Sequence, residues 1–364
     1  ARGGAGPVLM VASEKRRTRT ASPLELQTGD GAAALLVGTG PVVAKLIASA
    51  SRTVDFVDHF RGEGFEFDYT WEERWIRDEG YNKIVPAALA DLFKATDVKP
   101  GDIAHFAMPC VLARVAAGIA KKAGMPEAAV RDNLHAVCGE TGAAHPLVML
   151  AQVLEEAKPG DKILVVGFGQ GCDALLFEAT ENLAKLAPRR GVKGHLARRK
   201  EETNYGKFQS FNDLVAIERG MRAEADKATP LSSLYRNRRM LTGFIGGQCK
   251  KCGTLQFPKS KVCVNPNCNA FHSQEDHPFA DTPSKVQSYT ADRLTYSPDP
   301  PHYYGMIVFE QGGRVMIDFT DADAASVDVA APMRMMFRIK DYDPQRGFTR
   351  YYWKAAPADQ QGKA

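Results

Sequence analysis

The sequence lacks any long apolar segment and any strong charge bias. No apolar run reaches the roughly 18 residues that a membrane helix needs, so we expect no contact with a membrane. The first residues show neither the apolar core nor the cleavage site of a secretory signal peptide. The net charge is only +4 over 364 residues, which by itself favours neither a nucleic acid nor another class of partner.

Cysteine is scarce and unevenly distributed. The chain has seven cysteines, of which Cys110, Cys138 and Cys172 are scattered and four cluster within twenty residues. An odd total without a secretion signal argues against a disulfide framework. We therefore expect a reducing, cytoplasmic environment.

The clustered cysteines follow the pattern C-x2-C-x10-C-x4-C. Two thiolates two residues apart can reach one metal ion, and Gly253 lets the backbone turn between them and the next strand. Four thiolates favour tetrahedral zinc and leave no coordination position for water, so the predicted site is structural. Its ligands are Cys249, Cys252, Cys263 and Cys268.

Strand-like and helix-like segments alternate through the first half of the chain, which predicts an α/β domain over residues 1–185. Residues 7–13 and 32–37 have the composition of buried strands. The run "GFGQG" after a third apolar strand suggests a dinucleotide loop when taken alone. No acidic residue follows at the end of a second βαβ strand, so we reject that interpretation.

An aromatic and acidic stretch, residues 56–75, interrupts this alternation. It either covers a substrate tunnel or lies over a patch of the core, and the sequence leaves both interpretations open.

The second half predicts three further segments. Residues 186–240 are basic and polar and are predicted to be a connector with helices, more typical of a solvated linker than of a phosphate-binding patch. Residues 241–280 contain the predicted zinc ribbon. Residues 281–357 alternate with period two between Pro, Gly and Asp turns, which predicts a small all-β barrel of the OB type. Ribbon–barrel pairs often bind nucleic acid, but the many aspartates of this barrel make it a poor track for phosphates.

The second half resembles a known family through the run "QCKKCGTLQFPKSKVC", preceded by "LYRNRRMLTGFIGG". Over about residues 205–355 it is similar to the zinc-ribbon/OB-fold proteins that partner acyl-CoA thiolases. The second knuckle, "CVNPNC", is longer than the C-x2-C that is usual there.

The first half resembles the thiolase superfamily, and within it hydroxymethylglutaryl-CoA synthases and initiating ketoacyl synthases. The resemblance is carried by "TGDGAAALLVG", "DIAHFAMPCVLARVAAGIAKKAGM" and "CGETGAAHPLVMLAQVLEEAKPGDKILVVGFGQG". It covers about residues 1–180, which correspond to the later part of that fold. It implies an α/β thiolase-like layered domain, incomplete at its N-terminus, followed by the zinc ribbon and the OB-fold barrel.

The resemblance also implies where the chemistry lies. The nucleophilic cysteine of the family precedes the strand that "PVLMVASE" resembles, so we expect that cysteine to come from a segment absent from this chain. The usual catalytic histidine falls on Pro109 and the usual asparagine on Glu140. "AAHP" resembles the Gly-His-Pro loop of thiolases, which implies that His145 serves as base or hydrogen-bond donor. Glu140 is then a candidate second acid/base, whereas His105 is expected to be a satisfied core histidine.

Three functions follow from these resemblances. The first is an acyl-CoA-handling acyltransferase, which uses a coenzyme A thioester as substrate in a Claisen condensation or thiolysis and carries a structural zinc. It is expected to form a homodimer or a hetero-oligomer with thiolase-like subunits. The second is a non-catalytic scaffold subunit that completes an active paralogue, which Pro109 and Glu140 favour. The third, a nucleic-acid-binding ribbon–barrel protein, is disfavoured, and we expect no nucleic acid partner.

Overall fold

The computed structural model describes residues 6–218, 230–297, 299–343 and 346–358. The chain divides into two compact units, Ala1–Val215 and Ala216–Ala364. The finer boundaries at residues 185, 240 and 280 remain predictions.

The strands of unit 1 are β1 (Val8–Lys15), β2 (Asp30–Val37), β3 (Ala44–Thr53), β4 (His59–Phe60), β5 (Tyr69–Thr70), β6 (Ile103–Ala107), β7 (Lys162–Gly169) and β8 (Gly171–Ala179). Its helices are α1 (Glu73–Trp75), α2 (Asn82–Lys94), α3 (Val115–Ala123), α4 (His135–Cys138), α5 (His145–Leu154), α6 (Gly191–Ala197) and α7 (Tyr205–Phe211), and a π-helical segment, Ile76–Tyr81, joins α1 to α2.

A four-stranded sheet in the order β3-β8-β7-β6 forms the centre of unit 1. Strands β6 and β7 are parallel, and the other neighbours are antiparallel. Along β7, Leu164 and Val166 pack on the core that includes α2 and α3, whereas Ile163 and Val165 pack on α5. Because successive side chains of a strand point to opposite faces, this apolar run is buried on both sides of the sheet. The result is the helix–sheet–helix layering that the sequence predicts.

Strands β1 and β2 form a separate antiparallel hairpin. Both strands lie where the sequence places them, but their predicted burial is wrong. Leu9 and Leu36, which face each other across the hairpin, are 64% and 72% exposed. Among the described residues, only parts of the hairpin are covered, for example Leu35 against the α5 core. Apolar composition predicts a strand, but it does not specify which element covers it.

The run "GFGQG" ends β7 and starts β8, which pair antiparallel around a tight turn. Gly171 adopts a φ of +112°, and a Cβ at this position would collide with the carbonyl group of Arg52 on β3. Glycine is therefore required by a close backbone approach within the sheet. This geometry agrees with rejecting a dinucleotide loop, which opens a helix rather than a hairpin.

The predicted connector contains short helices. Helices α6 and α7 lie in its first part, and α8 (Leu231–Arg236) and α9 (Arg238–Leu241) lie in its last part. Residues 219–229 of the connector lie outside the described residues.

Unit 2 contains a three-stranded ribbon and a five-stranded sheet. The ribbon has the order β10-β9-β11, formed by β9 (Ile245–Cys249), β10 (Leu255–Gln256) and β11 (Gln274–Pro278). Aromatic side chains join the ribbon to the sheet: the Phe244 ring lies 6.0 Å from Phe309 and 5.4 Å from Trp353. The two parts of unit 2 therefore share one core.

The sheet of unit 2 has the antiparallel order β14-β13-β12-β15-β16. Its strands are β12 (Ser284–Asp292), β13 (His302–Phe309), β14 (Arg314–Asp318), β15 (Pro332–Asp343) and β16 (Phe348–Pro357). A parallel bridge between Phe319, the residue directly after β14, and Ala355 of β16 brings the two edges of the sheet together. This closure turns the sheet into a partly open five-stranded barrel, as expected for the predicted OB type.

None of the helices within the described residues is long and apolar enough to cross a bilayer.

Candidate functional site

Unit 1 contains a cavity of about 620 Å³. Alternate residues of β1, Met10, Ala12 and Glu14, line one wall because they share one face of the strand. The opposite walls come from the turn between β7 and β8, from the loop after β6 and from the loop before α5. The aromatic stretch 56–75 also contributes to the lining, while Phe56 packs on the core against Trp71. One side of this stretch therefore packs on the core and the other side lines the cavity, while a role in covering a substrate tunnel stays a prediction.

An arginine with two carboxylates is buried in the cavity wall. The Arg16 side chain is 2% exposed; its Nε donates to Asp68 at 2.5 Å, and its Nη1 pairs with Glu140. Removing an ion pair from water is costly unless both partners are well hydrogen-bonded, and here each is. The cluster therefore fixes the stretch 56–75 and the loop before α5 against the end of β1.

Glu140 lines the cavity, but both of its oxygens have partners. Oε2 pairs with Arg16, and Oε1 accepts the backbone N–H of Gly142 at 2.8 Å. Its backbone is also held, because its N–H donates to the Gln27 carbonyl and its carbonyl accepts from Gly29. These bonds hold Glu140 in a fixed position in the cavity wall. An acid/base role stays a prediction.

His145 begins α5 as predicted, and it is fully buried. Its Nδ1 accepts the Thr141 N–H at 2.9 Å, and its Nε2 lies 2.7 Å from the Asn133 carbonyl oxygen, to which it donates. Burial lowers the pKa of His145, which favours the neutral ring. His145 does not belong to the cavity lining. With both nitrogens bound to backbone groups, the ring has no free atom for a substrate in this arrangement.

Pro109, the position that the resemblance gives to a catalytic histidine, also lines the cavity. Cys110 and Cys172 line it as well. Burial raises the pKa of the Cys110 thiol to about 11 and that of the Cys172 thiol to about 12. Both side chains are therefore thiols at neutral pH and weak nucleophiles.

His59 is a cavity residue that the sequence patterns did not single out. Its Nδ1 lies 2.9 Å from Asp58 Oδ1. Burial lowers the pKa of His59, but the hydrogen bond and the charge of Asp58 outweigh burial, so the pKa lies above its usual value. His105, in contrast, is a buried strand residue bound to Asp161 at 3.0 Å.

The four clustered cysteines form a compact site in the ribbon. Their sulfurs all lie within 4.8 Å of one another. Cys252 Sγ is 3.5 Å from Cys263 Sγ, and Cys249 Sγ is 3.9 Å from Cys268 Sγ. Zn–S bonds of about 2.3 Å in a tetrahedron give sulfur–sulfur distances of about 3.8 Å, so the donor set and its geometry fit zinc. The hydroxyl of Ser273, 3.2 Å from Cys249 Sγ, adds an outer hydrogen-bonding partner.

Two stretches of the chain match known family models. Residues 93–177 match 3-oxoacyl-(acyl-carrier-protein) synthase III C terminal. Residues 243–271 match the rubredoxin-like zinc ribbon domain of ChsH2. The chain thus combines a stretch similar to a thiolase-like domain with a stretch similar to the ChsH2 zinc ribbon. Both predicted resemblances are thereby confirmed, together with the fold class that they imply.

Similar curated proteins carry the name hydroxymethylglutaryl-CoA synthase. The protein from Aeropyrum pernix is 27% identical over 220 residues, which are 60% of this chain and 61% of the relative. The protein from Pyrobaculum neutrophilum is 31% identical over 176 residues, 48% of this chain and 50% of the relative. The chain thus spans between half and about three fifths of the length of these relatives.

Two solved structures are similar to parts of the chain. A crystal structure of HMG-CoA synthase complexed with CoA has a TM-score of 0.48 and 19% identity, and covers 62% of this chain and 61% of that chain. An Ltp2–ChsH2(DUF35) aldolase structure has a TM-score of 0.27 and 15% identity, and covers 37% of this chain and 98% of that chain.

Proposed function

We propose that the protein is an acyltransferase that acts on acyl-CoA thioesters and makes or breaks a carbon–carbon bond by Claisen condensation or thiolysis. A cysteine thioester on a segment outside this chain carries the acyl group in this proposal. The cavity of unit 1 is the observation that carries it. Its walls include Pro109 and Glu140, the two positions that correspond to catalytic residues in the resembling family, and much of its lining comes from the matched residues 93–177.

The state of the cavity cysteines supports an external nucleophile. Cys110 and Cys172 have pKa values raised to about 11 and about 12, and both are almost completely buried. Cys138 also has a raised pKa, because of burial and of the nearby charge of Glu140. A thioester-forming cysteine needs a lowered pKa or an adjacent base, and these three environments act in the opposite direction.

Thioester labelling of the complex that copurifies with the tagged full-length chain tests this proposal. Incubation with radiolabelled acetyl-CoA, followed by peptide mass spectrometry, is expected to show an acylated cysteine outside residues 1–364. Labelling of Cys110, Cys138 or Cys172 would refute the external nucleophile. Absence of any acyl-CoA turnover by the complex would refute the acyltransferase itself.

A non-catalytic scaffold is the second candidate, and the pairing within the site favours it. Pro109 replaces an ionisable side chain, Glu140 is bound to Arg16 and Gly142, and His145 is bound at both nitrogens. Under this alternative, acyl-CoA turnover by the complex persists after every substitution in the cavity that leaves the chain folded. Binding of nucleic acid has less support, because barrel arginines pair with aspartates, as in Arg350–Asp341 at 2.5 Å.

Two components accompany the proposed activity. A structural zinc is held by the four ribbon cysteines, which is supported by their geometry and by the matched zinc-ribbon model. A thiolase-like subunit or second copy covers the exposed apolar hairpin β1–β2, because contiguous apolar surface of this kind is typical of protein interfaces.

A further inference from the structure

His59 is the only histidine among the described residues that line the unit 1 cavity. Its side chain is 28% exposed, so it is accessible from the cavity and is not part of the closed core. Nδ1 is bound to Asp58, and no hydrogen-bond partner of Nε2 is found in the described ranges of the chain. One ring nitrogen is therefore fixed, and the other is available to a bound molecule.

The other ionisable groups of the cavity are committed or inert. Arg16 pairs with both Asp68 and Glu140. Arg52 pairs with Asp91, Glu14 accepts the Ala143 N–H at 2.8 Å, and Asp173 accepts the Ser51 hydroxyl. Burial raises the pKa values of Cys110, Cys172 and Tyr81, so these three groups stay protonated at neutral pH. Among the described cavity residues, His59 combines an ionisable ring nitrogen without a partner and a pKa that lies above the usual 6.5.

The local fold holds His59 and Asp58 in a defined geometry. His59 pairs with Thr70 across the β4–β5 ribbon. The Thr70 hydroxyl donates to the Asp58 carbonyl at 3.2 Å, and the Asp58 carboxylate accepts both the backbone N–H and the Nδ1–H of His59, each at 2.9 Å. A carboxylate bound to Nδ1 fixes the tautomer, so that a neutral ring presents its lone pair at Nε2.

We propose that His59, oriented by Asp58, is the proton donor and acceptor of this cavity and acts at the carbon–carbon bond step on acyl-CoA thioesters. This inference rests on the proposed acyltransferase function and names the residue that replaces the histidine missing at Pro109. His59 is the catalytic residue in this scheme, and Asp58 is a positioning residue.

His59 supplies the proton of the condensation step. In condensation, the electron pair of a thioester enolate carbon forms the new carbon–carbon bond to the carbonyl carbon of the cysteine-bound acyl thioester. The bond from that carbonyl carbon to the cysteine sulfur breaks, and the leaving sulfur takes the proton from His59 Nε2. An imidazolium, an enolate and an acyl thioester thus become a neutral imidazole, a β-keto thioester and a free thiol. In thiolysis, Nε2 of the neutral ring takes the proton of the attacking thiol.

The electrostatic surroundings suit this role. Burial and the charge of Arg16 lower the pKa of His59, whereas Asp58 and the charge of Glu140 raise it, and the net pKa lies above the usual 6.5. A donor with a pKa near the working pH is effective in both its protonated and neutral forms. Removing the Asp58 charge is expected to lower the pKa of His59.

Steady-state kinetics of the copurified complex test the inference, with acetyl-CoA as the probe in the condensing direction. His59→Asn is expected to lower kcat by about 100-fold with little change in KM, which is the usual size of a lost general acid. Asp58→Asn is expected to lower kcat by about 10-fold, and the pH above which kcat falls moves to a lower value. His302→Asn serves as the matched control, because it breaks a similar His–Asp pair, His302–Asp318, in the barrel.

The outcomes separate the inference from the function on which it rests. Wild-type kcat and an unchanged pH profile in His59→Asn would overturn the inference and leave the proposed function intact. A wild-type complex without acyl-CoA turnover would overturn both. If His59→Asn does not fold, the pH profile of Asp58→Asn decides, because an unshifted profile contradicts the orientation of His59 by Asp58.

Discussion

Arg16 and Arg17 are sequence neighbours that lie in opposite environments. Arg16 is buried between Asp68 and Glu140, whereas Arg17 pairs with Glu66 at the surface, with side-chain exposures of 31% and 55%. The desolvated pair depends on both partners being present, since one charge left alone in the interior is strongly unfavourable. The solvated pair is weakened by water and salt. The two residues thus form a natural comparison of buried and exposed charge.

We predict that Arg16→Met destabilises unit 1 by about 3 kcal/mol or more, because Glu140 loses its buried cation. Arg17→Met is the matched control and is expected to cost about 1 kcal/mol or less. Urea unfolding can be followed by tryptophan fluorescence in a Trp353→Phe background, which leaves only Trp71 and Trp75, both in unit 1. Equal destabilisation by the two substitutions would contradict the buried network.

A second residue-scale prediction concerns acid stability. Burial and the neighbouring charge of His145 lower the pKa of His135 to about 4, and the two rings lie 4.8 Å apart. The usual histidine pKa, which applies to the unfolded chain, is 6.5. Between about pH 4 and pH 6.5 the unfolded chain therefore binds more protons than the folded chain. Stability is complete above about pH 6.5 and decreases as the pH falls towards 4.

Thermal melts of unit 1 between pH 7 and pH 4.5 measure this effect. His135→Asn is expected to reduce the dependence of Tm on pH, because it removes one of the two groups with a lowered pKa. A wild-type Tm that stays constant between pH 7 and 5, or an identical slope in the variant, would show that the prediction is wrong.

At the scale of elements, the zinc ribbon is stabilised by residues that lie close together in the sequence. The cysteine knuckles lie on tight turns, where the Gly253 N–H donates to the Cys249 carbonyl at 2.8 Å. The ribbon strands β10 and β11 have only two and five residues. Elements this short need a crosslink or a metal for stability.

We predict one zinc per chain, which elemental analysis of the purified protein measures. Cys263→Ser is expected to lose the zinc and to destabilise the ribbon, because three sulfurs no longer complete the tetrahedron. Cys138→Ser is the matched control in unit 1 and is expected to keep the metal. A folded wild-type protein without zinc would contradict the assignment.

The sequence separation of the residues in each site determines how much of that site could be predicted from the sequence. The metal cluster is visible because its four ligands lie within twenty residues and their spacing reflects one coordination geometry. The loops with Pro109 and Glu140 were found through resemblance, and both residues line the same cavity. Arg16 and Glu140 are 124 residues apart, so no local period reveals their pairing. His59 becomes significant only when the β4–β5 ribbon brings it to the cavity, where its neighbours prove to be committed to other partners.

At the scale of the whole molecule, the hairpin β1–β2 presents exposed apolar surface within the described part of the chain. Its exposed apolar residues are Val8, Leu9, Met10, Val11, Leu36 and Val37. Leu9, Val11 and Leu36 form a contiguous patch on one face of the hairpin, since Leu9 faces Leu36 across the two strands and Val11 lies two residues further along the same face. Val8, Met10 and Val37 lie on the opposite face, which also borders the cavity at Met10. Scattered apolar residues are normal on a protein surface, whereas a continuous patch of this kind is typical of an interface. The end of β1 also leads directly into the cavity wall through Glu14 and Arg16.

We therefore predict that Leu9→Lys combined with Leu36→Lys abolishes association with a thiolase-like subunit or second copy while the chain itself stays folded. Both side chains are more than half exposed, so the lysines cost little in the isolated chain but place two charges in a desolvated contact. Size-exclusion chromatography with light scattering measures the assembly, and Met316→Lys, on an exposed position of the barrel that is 59% accessible, is the control. If the double variant assembles like the wild type, the hairpin is not the contact surface. If it stays a folded single chain and loses acyl-CoA turnover as well, then the surface that holds the complex together also completes the cavity beside it.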